Sequence, residues 1–481
     1  MANIYSLNVK INIVIISFVC ASFLVGYFSN SIVDWRIMLG IVLVTTIMLV
    51  LRLSTAKLSI IGLVLLIFLP PPNYLPLNFG PLNTNVLLLG IVFFSILVRK
   101  LISKENFFYN NQDKNMFLGI AFLPFVMMLS IVNADYPLST FYQVIRFTFT
   151  SVVIFYVVKE LITKKHIGFV INALIYMMSF VSLLAIIEYL LGYNFIYNNI
   201  LNQELENLKQ FQKIYRAYAT TSLPNVLATL IAAIIPFVIY KLHFAESRPI
   251  KLLYLSIIII NLSALLMTFS RMALLSMLIS LILVIVFSKY KLRCLFYILG
   301  IVMILLVTLP LFNIPIFEKI TFRFDADTFF DSGSYWHRMY KFSSALMILN
   351  HHFLLGVGWG NYTLVADNPL YSLPGDPIAL SVFDNQYLQI LGETGVLGFI
   401  SFIIILIMIF FTFSKSTSAL NNQSKKLMLS IIASMIVILM NNFILEGFMW
   451  NSINILFWLV VGLGSILLRD GRISENKNRT A

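Results

Sequence analysis

Fourteen long apolar runs divide this chain, and they leave almost no room for a soluble fold. They span 11–28, 36–51, 58–70, 85–98, 116–132, 143–158, 167–190, 224–240, 252–268, 272–288, 294–311, 396–414, 427–443 and 452–468. A bilayer's hydrocarbon core needs about 20 helical residues to cross, so the shorter runs are expected to continue as helix into the interfaces. Inside lipid every backbone N–H and C=O must find its partner within the protein, and a spanning helix does this locally. The expected class is therefore an all-α, polytopic integral membrane protein with about 14 transmembrane helices. Only 11% of the 481 residues are charged, too few to coat a soluble protein of this size. Lys10 precedes the first run and no small-residue cleavage motif follows it, so that run reads as a first helix rather than a removable signal. Cys20 and Cys294 lie far apart in apolar runs, with neither disulfide nor zinc spacing.

Basic residues set the expected sidedness. With Lys10 in the cytoplasm and alternating spans, 23 of the 33 Lys and Arg fall inside. The ten left outside are Arg36, Arg146, Lys209, Lys213, Arg216, Arg271, Lys319, Arg323, Arg338 and Lys341. Both termini are then cytoplasmic. The net charge of +13 follows from this topology; no basic stripe with interleaved aromatics suggests nucleic acid. The expected organisation is a membrane domain over 1–311, a large outer loop over 312–395, the last three spans over 396–468 and a cytoplasmic tail over 469–481. The loop is expected to be partly helical, with an amphipathic helix from Ser334 to Asn350, and its aromatic content argues against disorder.

Positive charge outside runs against the topology rule, so each case invites a reason. Isolated residues such as Arg36 and Lys209 read as interfacial side chains that snorkel. Arg271 sits in a very short turn between two spans, where an arginine is costly unless it faces the bundle interior and meets an anion. That anion is either a buried carboxylate or a substrate. Arg216 precedes Pro224-Asn225, which reads as a helix start, and helix N-termini attract anions. The loop adds Arg323, Arg338 and Trp336, then His351-His352 and a Gly356-x-Gly358-x-Gly360 turn, by itself weak evidence for phosphate binding. Adjacent histidines rarely share one ion, and Asp325, Asp327 and Asp331 read as a solvated loop, so no metal site is expected. Asp384-Asn385 precedes the periodic apolar positions Tyr387, Leu388 and Leu391 and has two open readings, a helix cap or an interfacial general base. Glu393 and Gly395 mark the turn into the next span.

Taken in order, Arg216…Thr221…Pro224-Asn225…Ala228, then Ser270-Arg271, then Arg323, Trp336, Arg338, His352, Gly356 and Gly358, and last Asn385, Tyr387, Leu388, Glu393 and Gly395 resemble the O-antigen ligase/polymerase family. The resemblance covers about 215–400. It implies a fold like those of membrane-embedded, lipid-carrier-using glycosyltransferases of the GT-C type. It implies assembly of surface polysaccharide (O-antigen, capsule or a related polymer) at the bacterial cytoplasmic membrane. The implied partners are an oligosaccharide linked to undecaprenyl diphosphate, the lipid bilayer and a chain-length regulator, with no metal or cofactor. The ligases carry His where this chain has Asp384, a departure that favours a repeat-unit polymerase over transfer to lipid A core. On this reading Asp384 is the catalytic base, Glu393 the second candidate for it, and Arg271 stabilises the leaving diphosphate. Arg216, Arg323, Arg338, Asn385, Tyr387 and Trp336 bind substrate; Trp359 could stack on sugar. A lipid-linked oligosaccharide flippase and a scaffolding protein are the rivals. The first should show inverted repeats and mid-membrane charges; no repeat is seen and few ionisable residues sit mid-span, Glu188 being close to a span end. The second should tolerate alanine at Asp384 and Arg271.

Overall fold

The structure is a computed structural model, and it describes residues 56–68, 84–108, 111–196, 215–286, 333–366, 368–371, 382–417 and 420–479. The chain divides into two compact units, 1–59 and 60–481, and the architecture below is that of the second. Its helices are α1 (Ala56–Phe68), α2 (Thr84–Ser103), α3 (Asn111–Leu129), α4 (Pro137–Leu161), α5 (Lys164–Leu191), α6 (Pro224–His243), α7 (Arg248–Met267), α8 (Arg271–Val286), α9 (Gly333–His351), α10 (Gln386–Ser416), α11 (Asn422–Asn441) and α12 (Asn451–Arg479). Eight are long and apolar enough to cross a membrane. Of the fourteen expected spans, eleven fall on described residues, and each carries a helix. The expected spans 11–28, 36–51 and 294–311 lie outside them. The described residues contain no strand. The protein is an all-α, multi-pass membrane protein.

α6 is the central element, packed against α5, α7, α8, α11 and α12. Ala228, Ala232 and Ala233 lie fully buried along it, and such small side chains allow close helix approach where lipid offers no hydrophobic drive. α10 lies at the periphery. It exposes Ile400, Ile404, Ile407 and Phe411, an apolar face suited to hydrocarbon rather than water. α4 carries a π turn at Phe149–Val153.

The two ends of the bundle differ in chemistry. At one end lie the buried ion pairs Lys100–Glu160, at 2.7 Å, and Lys159–Asp113, together with the Lys426–His243 contact at 2.5 Å. These join the connections that the charge bias assigns to the cytoplasm. At the other end the segments following α3 and α11 meet the segment between α9 and α10, and those following α5 and α7 meet the stretch before α6. This second end holds the candidate site.

Candidate functional site

Arg216 is set by two contacts. Its Nε–H donates to the Thr268 carbonyl at 2.7 Å and a terminal N–H donates to Asn225 Oδ1 at 2.8 Å. The Ala217 amide adds a bond to the Met267 carbonyl at 3.1 Å. The stretch before α6 is thus fastened to the turn from which Arg271 opens α8. Pro224 occupies the first turn of α6, as its missing N–H permits, and no side chain caps that helix. Glu188, fully buried at the end of α5, secures the arrangement from beneath. It accepts the Tyr215 hydroxyl at 2.7 Å and the Ala219 amide at 2.6 Å. Burial, then the Glu188 charge, pushes the Tyr215 hydroxyl's pKa up, so it stays a proton donor.

Arg271 is half-buried, and Arg338, exposed on α9, stands within electrostatic reach of it. Two guanidiniums within electrostatic reach repel, and an anion between them relieves that repulsion. Arg216 is bonded to the backbone three residues before Arg271, so three arginines distant in sequence are brought to one end of the bundle. Arg323 lies outside the described residues, as does the side chain of Trp336, whose backbone is in α9.

The glycine turn is not a phosphate cradle. Gly356, Gly358 and Gly360 all take positive φ, at 65°, 98° and 77°. Every amide from 356 to 362 already has a protein acceptor. Gly356 donates to His352 O, Val357 to Gly392 O, Gly358 to Glu393 O and Asn361 to Gly358 O. Trp359 donates to Ser130 Oγ, Gly360 to Glu393 Oε2 at 2.9 Å and Tyr362 to Glu393 Oε1 at 3.1 Å. The turn is wrapped around Glu393, which is 1% exposed and has both carboxylate oxygens engaged. Sequence reasoning made Glu393 the second candidate for a base; the geometry makes it the post on which the turn is tied. Trp359 is likewise buried, edge-on to Phe147 at 5.6 Å, and presents no face to a sugar. Gly395, with φ 63° and ψ −167°, breaks α10 just beyond the knot.

Of the two readings of Asp384-Asn385, the structure bears on the helix cap. Asn385 is the cap of α10, its Oδ1 accepting the Tyr387 amide at 2.9 Å and the Leu388 amide at 3.1 Å. Asp384 stands before the cap, half-buried, with its backbone in the left-handed region at φ 50°. Tyr387 donates its hydroxyl to the Leu439 carbonyl at 2.8 Å and packs on Phe443, so it joins α10 to α11. Arg271 and Asp384 border the same helix end. Asn441, the last residue of α11, donates to Ser276 Oγ in α8 at 2.8 Å, and the Asn442 carbonyl accepts the Gln386 amide at 2.8 Å.

Sequence reasoning missed Glu446. It lies in the short connection from α11 to α12 and is buried against Asp384. Burial first, then the Asp384 and Glu393 charges, pushes its pKa up to about 8. A lone acid in an otherwise apolar stretch, Asn442-Phe-Ile-Leu-Glu-Gly-Phe-Met-Trp450, was the available signal. His352 Nε2 pairs with the Tyr371 hydroxyl at 2.9 Å. Among the described residues no group of three or more His, Cys, Asp or Glu is arranged to hold a metal ion.

No curated protein matches the chain in sequence. Residues 255–403 match the family model Wzy_C, described as O-antigen ligase. The match covers less than half of the chain. It includes Arg271, Arg338, the glycine turn, Asp384 and Glu393, and leaves Arg216 and Glu446 outside. Over those residues the chain is similar to the O-antigen ligase family.

Proposed function

We propose that this protein is a polymerase of surface polysaccharide, which moves a glycan from undecaprenyl diphosphate onto the non-reducing end of a second lipid-linked repeat unit. Function of the ligase/polymerase type rests on the domain match. The choice of polymerase rests on Asp384, a carboxylate where the ligases carry an imidazole. The observation that carries the reading is the association of three guanidiniums from separate parts of the chain at the bundle end that also bears Asp384. Guanidinium stays charged and binds phosphate oxygens through paired N–H groups.

In the proposed step the acceptor hydroxyl oxygen attacks the anomeric carbon of the donor. The anomeric C–O bond to the diphosphate breaks and the diphosphate leaves with the electron pair. Asp384 takes the hydroxyl proton as general base. Arg271 and Arg338, with Arg216 behind them, stabilise the charge that grows on the leaving diphosphate. Displacement from the opposite face inverts the anomeric centre. Asn385, Tyr387 and Glu393 serve as positioning residues, since their polar atoms are spent on backbone partners. No metal or cofactor is required by this chemistry. On this reading the site end faces outward at the bacterial cytoplasmic membrane, and both termini face the cytoplasm.

Purified protein in proteoliposomes, supplied only with a synthetic undecaprenyl-diphosphate-linked repeat unit, tests the reading. Polymer with release of undecaprenyl diphosphate is expected. Movement of the lipid between leaflets without any new glycosidic bond would make the protein a flippase instead.

A further inference from the structure

We infer that Glu446 is the positioning residue for Asp384: from the α11–α12 connection it grips the backbone that aims the candidate base. This rests on the reading of Asp384 as general base and adds a residue from outside the matched domain. The Glu446 carboxylate faces the backbone N–H groups of Phe383 and Asp384, which favour its charged form against the cost of burial, and the bonds from Gln386 to Asn442 and Phe448 hold the two segments side by side. The amides of Phe383 and Asp384 are the two just before the Asn385 cap, and Asp384 is the residue among them with left-handed backbone, at φ 50°. A residue with a β-carbon holds that conformation only where its surroundings over-determine it. Glu446 supplies the constraint, and it is 7% exposed, so the grip is shielded from competing water.

The connection that carries Glu446 is itself fixed on both sides. The Gln386 amide donates to Asn442 O at 2.8 Å, and the Phe448 amide donates to Gln386 Oε1 at 2.7 Å. From α4, Arg146 donates to the Met449 carbonyl at 2.8 Å. Gln386 thus ties the start of α10 to both flanks of Glu446, and Arg146 ties the same connection to the opposite wall. A β-carbon at Gly447 would stand 2.1 Å from Asn442 Oδ1, so a larger residue there would have to displace the Asn442 side chain. The groups facing Glu446 are Asp384 and Glu393, with Arg146 in reach of Glu393. Its acceptor oxygens, rather than its charge, make the arrangement, since two like charges already stand nearby.

The test uses the full-length protein in proteoliposomes with the synthetic lipid-linked repeat unit, and reads kcat and KM separately. Glu446→Ala is expected to lower kcat by about 100-fold, the order expected for a misplaced reacting group, with KM unchanged within about 3-fold. Glu446→Gln keeps an acceptor oxygen at the same reach and is expected to stay within about 3-fold of wild type. Glu446→Asp keeps the acid but withdraws it by one methylene, and is expected to lose at least about 10-fold in kcat. Because Gln and Asp are smaller perturbations than Ala, their order decides the matter even if the alanine variant fails to fold. Asp384→Asn combined with Glu446→Ala should be no slower than Asp384→Asn alone, because Glu446 acts through Asp384. The proposal is overturned if Glu446→Ala or Glu446→Asp turns over like wild type, if Asp outperforms Gln, or if the two losses multiply. An Asp384→Asn enzyme as fast as wild type would overturn the general-base reading itself, and this proposal with it. Loss in Asp384→Asn alongside a fully active Glu446→Ala would overturn only this proposal.

Discussion

Ala219, Phe269 and Asp384 all carry a β-carbon and all hold left-handed backbone, at φ 48°, 50° and 50°. Each such residue costs about 1–2 kcal/mol, and all three sit beside a residue of the candidate site: Arg216, Arg271 and the candidate base itself. Strain of this kind persists where buried partners enforce it. Here the partners are Glu188 beneath Ala219 and Glu446 beside Asp384. Neither acid could be read from the sequence as an anchor. Glu188 is only a charge near a span end and Glu446 only a lone acid in an apolar stretch, because most of what they hold is backbone, which leaves no trace in residue type. Asn385 was legible, since a cap is a local device. The raised pKa of Glu446 has a consequence for stability. Folded protein holds its proton up to about pH 8, whereas the ordinary carboxylate value is 4.5. Its favourable contribution is therefore full below pH 4.5 and is lost as pH rises through 8. Thermal unfolding in detergent should give a Tm that falls between pH 5 and 8.5, and a shallower fall in Glu446→Gln. Identical slopes in the two proteins would show that Glu446 is not the group that titrates.

Among elements, the spanning helices were readable because lipid removes the alternatives: a long apolar run in a bilayer has no backbone partner but itself. α9 was readable from its helical periodicity within the loop. Its expected range, Ser334 to Asn350, is found as Gly333–His351. The glycine turn was not, because phosphate cradles and carboxylate knots share the same glycines. Only the long-range bonds to Glu393 distinguish them. Gly356→Ala is expected to destabilise the fold by about 2–3 kcal/mol, because a β-carbon at φ 65° would stand 2.4 Å from the Glu393 backbone. A Tm matching wild type would contradict the knot. The ion pairs at the opposite end make a second expectation. Lys159 and Asp113 are both nearly fully buried, so Lys159→Ala strands a carboxylate and should cost about 3 kcal/mol. Lys159→Met with Asp113→Leu should recover most of that loss in the same unfolding assay.

At the scale of the whole molecule, charge separates the two ends. Among the described residues the buried ion pairs of Lys100 and Lys159 lie at one, while Arg216 and Arg146, each held by a backbone carbonyl, lie toward the other. The bias legible in the loops has a physical counterpart in this division, although it says nothing of which partner each arginine finds. Cysteines introduced singly at Leu370 and Asn422, both exposed, with Cys20 and Cys294 replaced by Ser, should divide by side. An impermeant thiol reagent added to intact cells should label position 370 and reach 422 only after permeabilisation. The reverse pattern would turn the candidate site toward the cytoplasm. The most direct measurement of the central claim is the length of the cell-surface glycan made by an Arg271→Ala strain in which the variant inserts at wild-type level. The account expects no polymer beyond single repeat units, and only partial recovery with Arg271→Lys, which keeps the charge but lacks the paired N–H groups. Wild-type chain lengths from Arg271→Ala would contradict the claim that these guanidiniums hold the departing diphosphate.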